Sequence, residues 1–237
     1  MPNRPPTTLG SESNSSFAGT SAAQVKQYFA NWAGALWVDS GITEVKGTTN
    51  VPQVSMPVGG SPAVTYGGAV WVGIDGDTCG SAILQTGIVW TIVNGQTRYS
   101  AWYEWFPAPL TAFENFEVRP GDSINMRVVA TSSTSGTAYV TNLTTGQSVS
   151  KDFFDQAVPL CQQNAEWIVE DFSTNGSLIP FAGFSDVHIT DANWLANGTT
   201  FGLQGAIEVN IQQNNRIMTN CIVSGSDKVD CSYTGNN

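Results

Sequence analysis

The stretches Ala69–Ile74 (AVWVGI), Ala82–Trp90 (AILQTGIVW) and Tyr99–Phe106 (YSAWYEWF) decide the fold class. Each is a short run rich in β-branched and aromatic residues, and Asn94-Gly95, a dipeptide suited to tight reversals, separates the last two. Working outward, similar runs occur at 31–38, 123–132, 137–142, 147–153, 165–172, 185–190, 207–212, 221–224 and 228–233. Gly, Pro, Asn and Ser turns punctuate them, among them Pro120-Gly121-Asp122 and Thr144-Thr145-Gly146. Many short strands at this spacing predict an all-β sandwich, with no internal repeat and no long amphipathic helix.

A chain of 237 residues suits one domain with a substantial core. Residues 1–27 have the composition of a flexible arm or propeptide remnant, so the folded domain is expected to span 28–237. The segment 57–68 (PVGGSPAVTYGG) reads as an exposed loop open to a processing nick. The polar stretch through Thr20 lacks the apolar core of a secretion signal, so localisation has to be read from other features.

Nine Lys+Arg against 19 Asp+Glu give a net charge of -10, which repels phosphate backbones and argues against nucleic acid. Charged residues are only 12% of the chain, leaving few ion pairs for acid to break and predicting tolerance of low pH. No run reaches membrane-spanning length. Cys79, Cys161, Cys221 and Cys231 lack metal-ligand spacing, and Asn-X-Ser/Thr sequons begin at Asn14, Asn142, Asn175 and Asn197. Both features point to an oxidising, extracellular compartment. Of three possible connectivities, Cys79–Cys161 with Cys221–Cys231 is favoured, because the second bridge staples a short hairpin around Gly225.

Most hydrolytic chemistries are excluded by residue supply. His188 is the sole histidine, placed in a strand-like run where a structural role is expected, and no G-x-S-x-G elbow occurs. A multi-histidine metal site is impossible, no phosphate loop appears, and Gly73-Ile74-Asp75-Gly76-Asp77 lacks the remaining ligands of a calcium loop. An aspartic dyad needs two Asp-Thr-Gly motifs, whereas the chain has Asp77-Thr78-Cys79 and an acid-free Gln85-Thr86-Gly87. No cofactor or metal is called for.

Five motifs then carry a specific likeness: 71–79 (WVGIDGDTC), 82–87 (AILQTG), 102–105 (WYEW), 142–147 (NLTTGQ) and 164–172 (NAEWIVEDF). In this order, over about 31–233, they resemble the glutamic peptidases, or eqolisins. The resemblance implies a lectin-like, concanavalin A-type jelly roll of two large antiparallel sheets, a substrate groove on a concave face, and a catalytic pair at Gln85 and Glu170. The cysteine pairing favoured above also matches. Trp71, Asp75, Ser100, Trp102, Glu104, Phe106 and Phe172 are expected in the groove, since residues two apart in a strand share a face. Ser100 stands where relatives commonly carry Asp, and Phe106 where Tyr is common, which bears on subsites and pH profile. Taken alone, a strand Glu or Gln most often faces water and a Trp most often fills a core.

An amide cannot titrate, so Gln85 is expected to position a water and stabilise an oxyanion while Glu170 moves protons, the two converging from neighbouring strands. Glu170 could begin as base or as neutral acid; the residues leave both open. The expected activity is pepstatin-insensitive acid cleavage of proteins or peptides by a monomer. The competing readings are a carbohydrate-binding module and an inactive scaffold.

Overall fold

The computed structural model describes residues 8–12, 25–174 and 176–235 and consists of strands and turns. The decisive stretch forms a three-stranded meander: Tyr66–Ile74, Ile83–Val93 and Gln96–Phe106 pair in unbroken antiparallel register. Asn94 and Gly95 both take positive φ (51° and 73°), the geometry whose twist matches the flanking strands. On its other side Tyr66–Ile74 pairs with Asn164–Glu170, which pairs with Trp32–Val38. This ten-stranded sheet continues through Ile207–Gln213, Lys26–Phe29 and Thr8–Glu12.

Two expectations about this sheet need correction. It is not wholly antiparallel, because Lys26–Phe29 runs parallel to Ile207–Gln213. Nor is 1–27 simply an arm, since Thr8–Glu12 and Lys26–Phe29 pair within the sheet before the expected start at residue 28. Residues 1–7 and 13–24, with the Asn14 sequon, lie outside the described residues, as does Asn175.

The second sheet has eight strands, in the order Gln147–Phe153, Gly136–Asn142, Ser123–Ala130, Ile42–Asn50, Val187–Ala196, Lys228–Tyr233 and Thr219–Ser224, with Thr199–Phe201 paired to Val187–Ala196. Its central strand, Ile42–Asn50 (ITEVKGTTN), is one the sequence does not advertise. Gly47 explains why: a Cβ there would stand 2.8 Å from Ile189 Cγ2 and 3.2 Å from Trp167 Cδ1, so a core position needs the smallest residue. Trp167 reaches across from the first sheet, and its indole N–H donates to the Lys46 carbonyl at 2.8 Å.

The two sheets enclose the main core, built from Val70, Val72, Leu84, Ile88, Trp105 and Trp167 on one side and Val45, Met126, Val128, Val140 and Ile189 on the other. Cys79–Cys161 and Cys221–Cys231 are disulfides, the second closing the hairpin around Gly225. The exposed loop is shorter than expected, for Gly67 and Gly68 already belong to the strand beginning at Tyr66, while Val58 is 80% exposed. Asn142 is fully buried: its amide donates to Asp122 and its oxygen accepts from the Thr144 and Thr145 N–H groups. That sequon is a turn anchor, whereas Asn197 sits exposed on a hairpin turn.

Gly47→Ala is expected to cost about 1–3 kcal/mol through overpacking against Trp167 and Ile189, read as a lower urea midpoint at unchanged slope.

Candidate active site

Strand alternation gives the ten-stranded sheet two different faces. One looks into the inter-sheet core; the other carries Trp32, Leu36, Ala69, Trp71, Ile83, Trp102 and Ile168 as a second buried apolar cluster. Gln85, Glu104, Glu166 and Glu170 share the parity of this second face. Register then fixes their relative positions. Glu166, Gly73, Gln85 and Glu104 form one cross-strand row; Ile168, Trp71, Gly87 and Trp102 the next; Trp32, Glu170, Ala69, Val89 and Ser100 the third.

Gln85 and Glu170 therefore sit on one face, but not on neighbouring strands as expected. Tyr66–Ile74 lies between them, and Trp71 occupies the gap. The Trp71 indole N–H donates to Glu170 Oε2 at 2.8 Å, and Trp32 braces the ring edge-on at 4.9 Å between centroids. Gln85 Nε2 donates to Glu104 Oε2, also at 2.8 Å. Each pair leaves an open valence: Gln85 Oε1 and Glu170 Oε1 are buried without a hydrogen-bond partner among the described residues.

This face is as dry as the core. Gln85, Trp71, Trp102, Glu166 and Glu170 are fully inaccessible, so Trp71 and Trp102 are not the open stacking walls expected of a groove. Trp71 instead orients Glu170, and its ring lies within packing distance of Gly73. Phe106 and Phe172, with Val89, Leu110 and Ile207, form the partly exposed rim of the cluster, and Ser100 is half-buried beside it.

Asp75, expected in the groove, is fully buried with its carboxylate turned to the backbone. Its left-handed backbone (φ 68°) carries it off the strand. There its two carboxylate oxygens accept the N–H groups of Cys161, Gln162, Gln163 and Asn164 at 2.7–3.2 Å. All of its strong acceptor capacity goes to holding the start of the strand that bears Glu170. His188 is an exposed surface residue paired with Asp230 at 2.6 Å.

Burial dominates the electrostatics. It pushes the Glu170 pKa from 4.5 up to about 8, against the opposing hydrogen bond from Trp71. The Trp32 and Asn31 side chains, which face the same carboxyl, also oppose it, while the neighbouring Asp171 charge adds to the rise. Asp171 rises from 3.8 to about 7, again by burial, opposed by the Gln213 amide at 2.7 Å. Glu166 is driven well above the ordinary range by burial and then by the nearby charges of Asp77 and Asp75.

Trp32, Glu166 and Asp171 were not singled out from the sequence. Parity with Glu170 within Asn164–Glu170 was the available signal for Glu166; Trp32 required the strand pairing. Among the described residues no group of three or more His, Cys, Asp or Glu is arranged to hold a metal ion.

A family model described as the peptidase A4 family matches residues 30–233. Aspergillopepsin-2 of Aspergillus niger is 44% identical over 225 residues, covering 88% of this chain and 79% of that protein. Scytalidopepsin B of Scytalidium lignicola is 46% identical over 212 residues, covering 86% and 78%. The crystal structure of scytalido-glutamic peptidase with a transition state analog inhibitor superposes with a TM-score of 0.79 at 44% identity, covering 86% of this chain and 98% of that one.

Native Glu170 and Asp171 keep protons that the unfolded chain releases above about pH 4, so stability is complete in acid and lost as pH rises towards 8. Calorimetry across pH 3–8 should show a falling melting temperature, and Glu170→Gln with Asp171→Asn should flatten the decline.

Proposed function

The chain belongs to the peptidase A4 family, and from that premise we propose that it is an acid endopeptidase whose Gln85 and Glu170 direct a water onto the scissile peptide bond. The observation carrying this reading is the pair of open valences on one dry face, Gln85 Oε1 and Glu170 Oε1. A carboxamide oxygen accepts a hydrogen bond from a water, and the second Gln85 N–H remains to donate to the carbonyl oxygen once Glu104 has taken the first.

The raised Glu170 pKa favours the acid-first order. Trp71 donates to Oε2, so the proton of the neutral carboxyl belongs on Oε1. Glu170 gives that proton to the scissile carbonyl oxygen as the water oxygen bonds to the carbonyl carbon. The attacking water then returns a proton to Glu170, leaving a gem-diol. In the second half Glu170 protonates the amide nitrogen, the C–N bond breaks, and one gem-diol hydroxyl returns its proton to Glu170. Protons balance, and Gln85 never titrates. A donor aimed at the developing oxyanion is worth about 3–4 kcal/mol in comparable sites.

Cleavage requires the face to open to a polypeptide, and the partly exposed rim of Val89, Phe106, Leu110, Phe172 and Ile207 is the route we assign to it. Ser100 and Glu104 would meet substrate from the adjacent strand, and the fully buried Trp102 would become a wall only on opening. Asp75 is withdrawn from the groove and retained as an anchor. Two disulfides and a sparse charge complement suit secretion, and we take the protein to act as a monomer.

Glu170→Gln and Gln85→Ala should each lower kcat by about a thousandfold or more on a denatured protein at pH 2–4, with circular dichroism unchanged. Near-normal turnover by either would end the assignment. Pepstatin should leave wild-type cleavage intact, as it targets paired aspartates. Trp71→Phe removes a hydrogen bond that favours ionised Glu170, so the alkaline limb of kcat should move to higher pH as kcat falls about tenfold.

A further inference from the structure

The outer face of the eight-stranded sheet, remote from Gln85 and Glu170, bears a cleft of about 660 Å³. Three local features shape it. Val187–Ala196 bulges against Ile42–Asn50, because three steps from Thr190 to Asn193 oppose two from Thr48 to Lys46. Asp191, at the bulge, takes φ 53°. The turn at 225–227 grips the bulge through Ala192 N–H to the Asp227 carbonyl at 3.0 Å, and holds the chain just past Thr199–Phe201 through Leu203 N–H to the Ser226 carbonyl at 2.6 Å. Bulges of this kind re-aim side chains, and they recur at functional surfaces.

The lining combines one aromatic ring with unspent polar groups. Phe201, 41% exposed, stacks on Trp194 at 4.6 Å and 25°, which fixes the ring and leaves its remainder to the cleft. Asn125 Nδ2 donates to Thr48 Oγ1, and Asn193 Nδ2 to the Asp191 carbonyl, so both amides are oriented with further donors and acceptors in hand. Lys46, Asp191 and Asp227 line the same space and make no ion pair among the described residues.

Two carboxylates against one ammonium disfavour an anionic ligand, and the polar groups set beside Leu143 and Phe201 disfavour a wholly apolar one. A pyranose fits both halves of the lining. Its C–H face packs on a ring, while its vicinal hydroxyls are met by carboxylates and amides, which present paired acceptors and donors. We infer that this cleft is a binding site for a neutral oligosaccharide, separate from the peptidase face and able to tether the enzyme to glycan-bearing material. The inference stands on this cleft alone and does not depend on the catalytic roles assigned to Gln85 and Glu170.

The test uses the whole protein, with the Asn125 and Asn193 side-chain amides and the Trp194 indole followed by NMR. The protein is titrated with hexaoses of β-1,3-glucose, β-1,4-glucose and β-1,4-N-acetylglucosamine. At least one hexaose should shift all three signals, and Phe201→Ala and Asn193→Ala should each weaken that binding about tenfold with peptide hydrolysis unchanged. Absence of shifts with every hexaose, undiminished binding by Phe201→Ala, or shifts produced instead by a denatured-protein peptide would each overturn the inference. Retained hydrolysis shows that the variants are folded, and its loss in the Glu170 variant leaves the glycan result unaffected.

Discussion

The hydrogen bond from the Trp71 indole to Glu170, made between two side chains closed to bulk solvent, is the constraint around which the sheet is arranged. An ionisable carboxyl in such a place is tolerable when it is neutral or well partnered. Here the Trp71 N–H donates to it from a ring that Trp32 braces and for which Gly73 makes room. The interaction explains why a full strand separates Gln85 from Glu170: the intervening strand supplies the side chain that sets the carboxyl's orientation. Asp75 serves the same end from a distance, gathering four backbone N–H groups at the point where the Glu170 strand begins.

The expected tolerance of acid has the same origin. Buried carboxyls with raised pKa values make the protonated native state the undistorted one, so low pH removes a cost instead of adding one. With only nine Lys and Arg in the chain, protonating the carboxylates also leaves modest positive repulsion. Local electrostatics at the site and global charge composition thus favour the same pH range.

Much of the fold was legible because the meander 66–106 is rich in β-branched and aromatic residues and turns on Asn94-Gly95. The strand Ile42–Asn50 was not, since its buried positions include the polar Thr49 and Gly47, where Trp167 and Ile189 leave no room for a Cβ. At the site, parity put Gln85, Glu104 and Glu170 on one face. It misled for Asp75, because alternation ends where a left-handed residue turns the chain. It was also silent on burial: Tyr66–Ile74 is buried at all nine positions, so nothing in its pattern distinguishes an open groove wall from a closed one. The use of Trp71 as a donor to Glu170 depended on a contact across 99 residues that no local pattern encodes.

The exposed loop before Tyr66 also determines what a single backbone cut there would do. Both disulfides lie wholly on its C-terminal side, so no covalent bridge would span the break. Yet the N-terminal piece would carry Trp32–Val38 and Ile42–Asn50, each an interior strand flanked on both edges in its own sheet. Two polypeptides would persist as one body, interlocked by main-chain ladders on four sides, and neither could depart without dismantling the other.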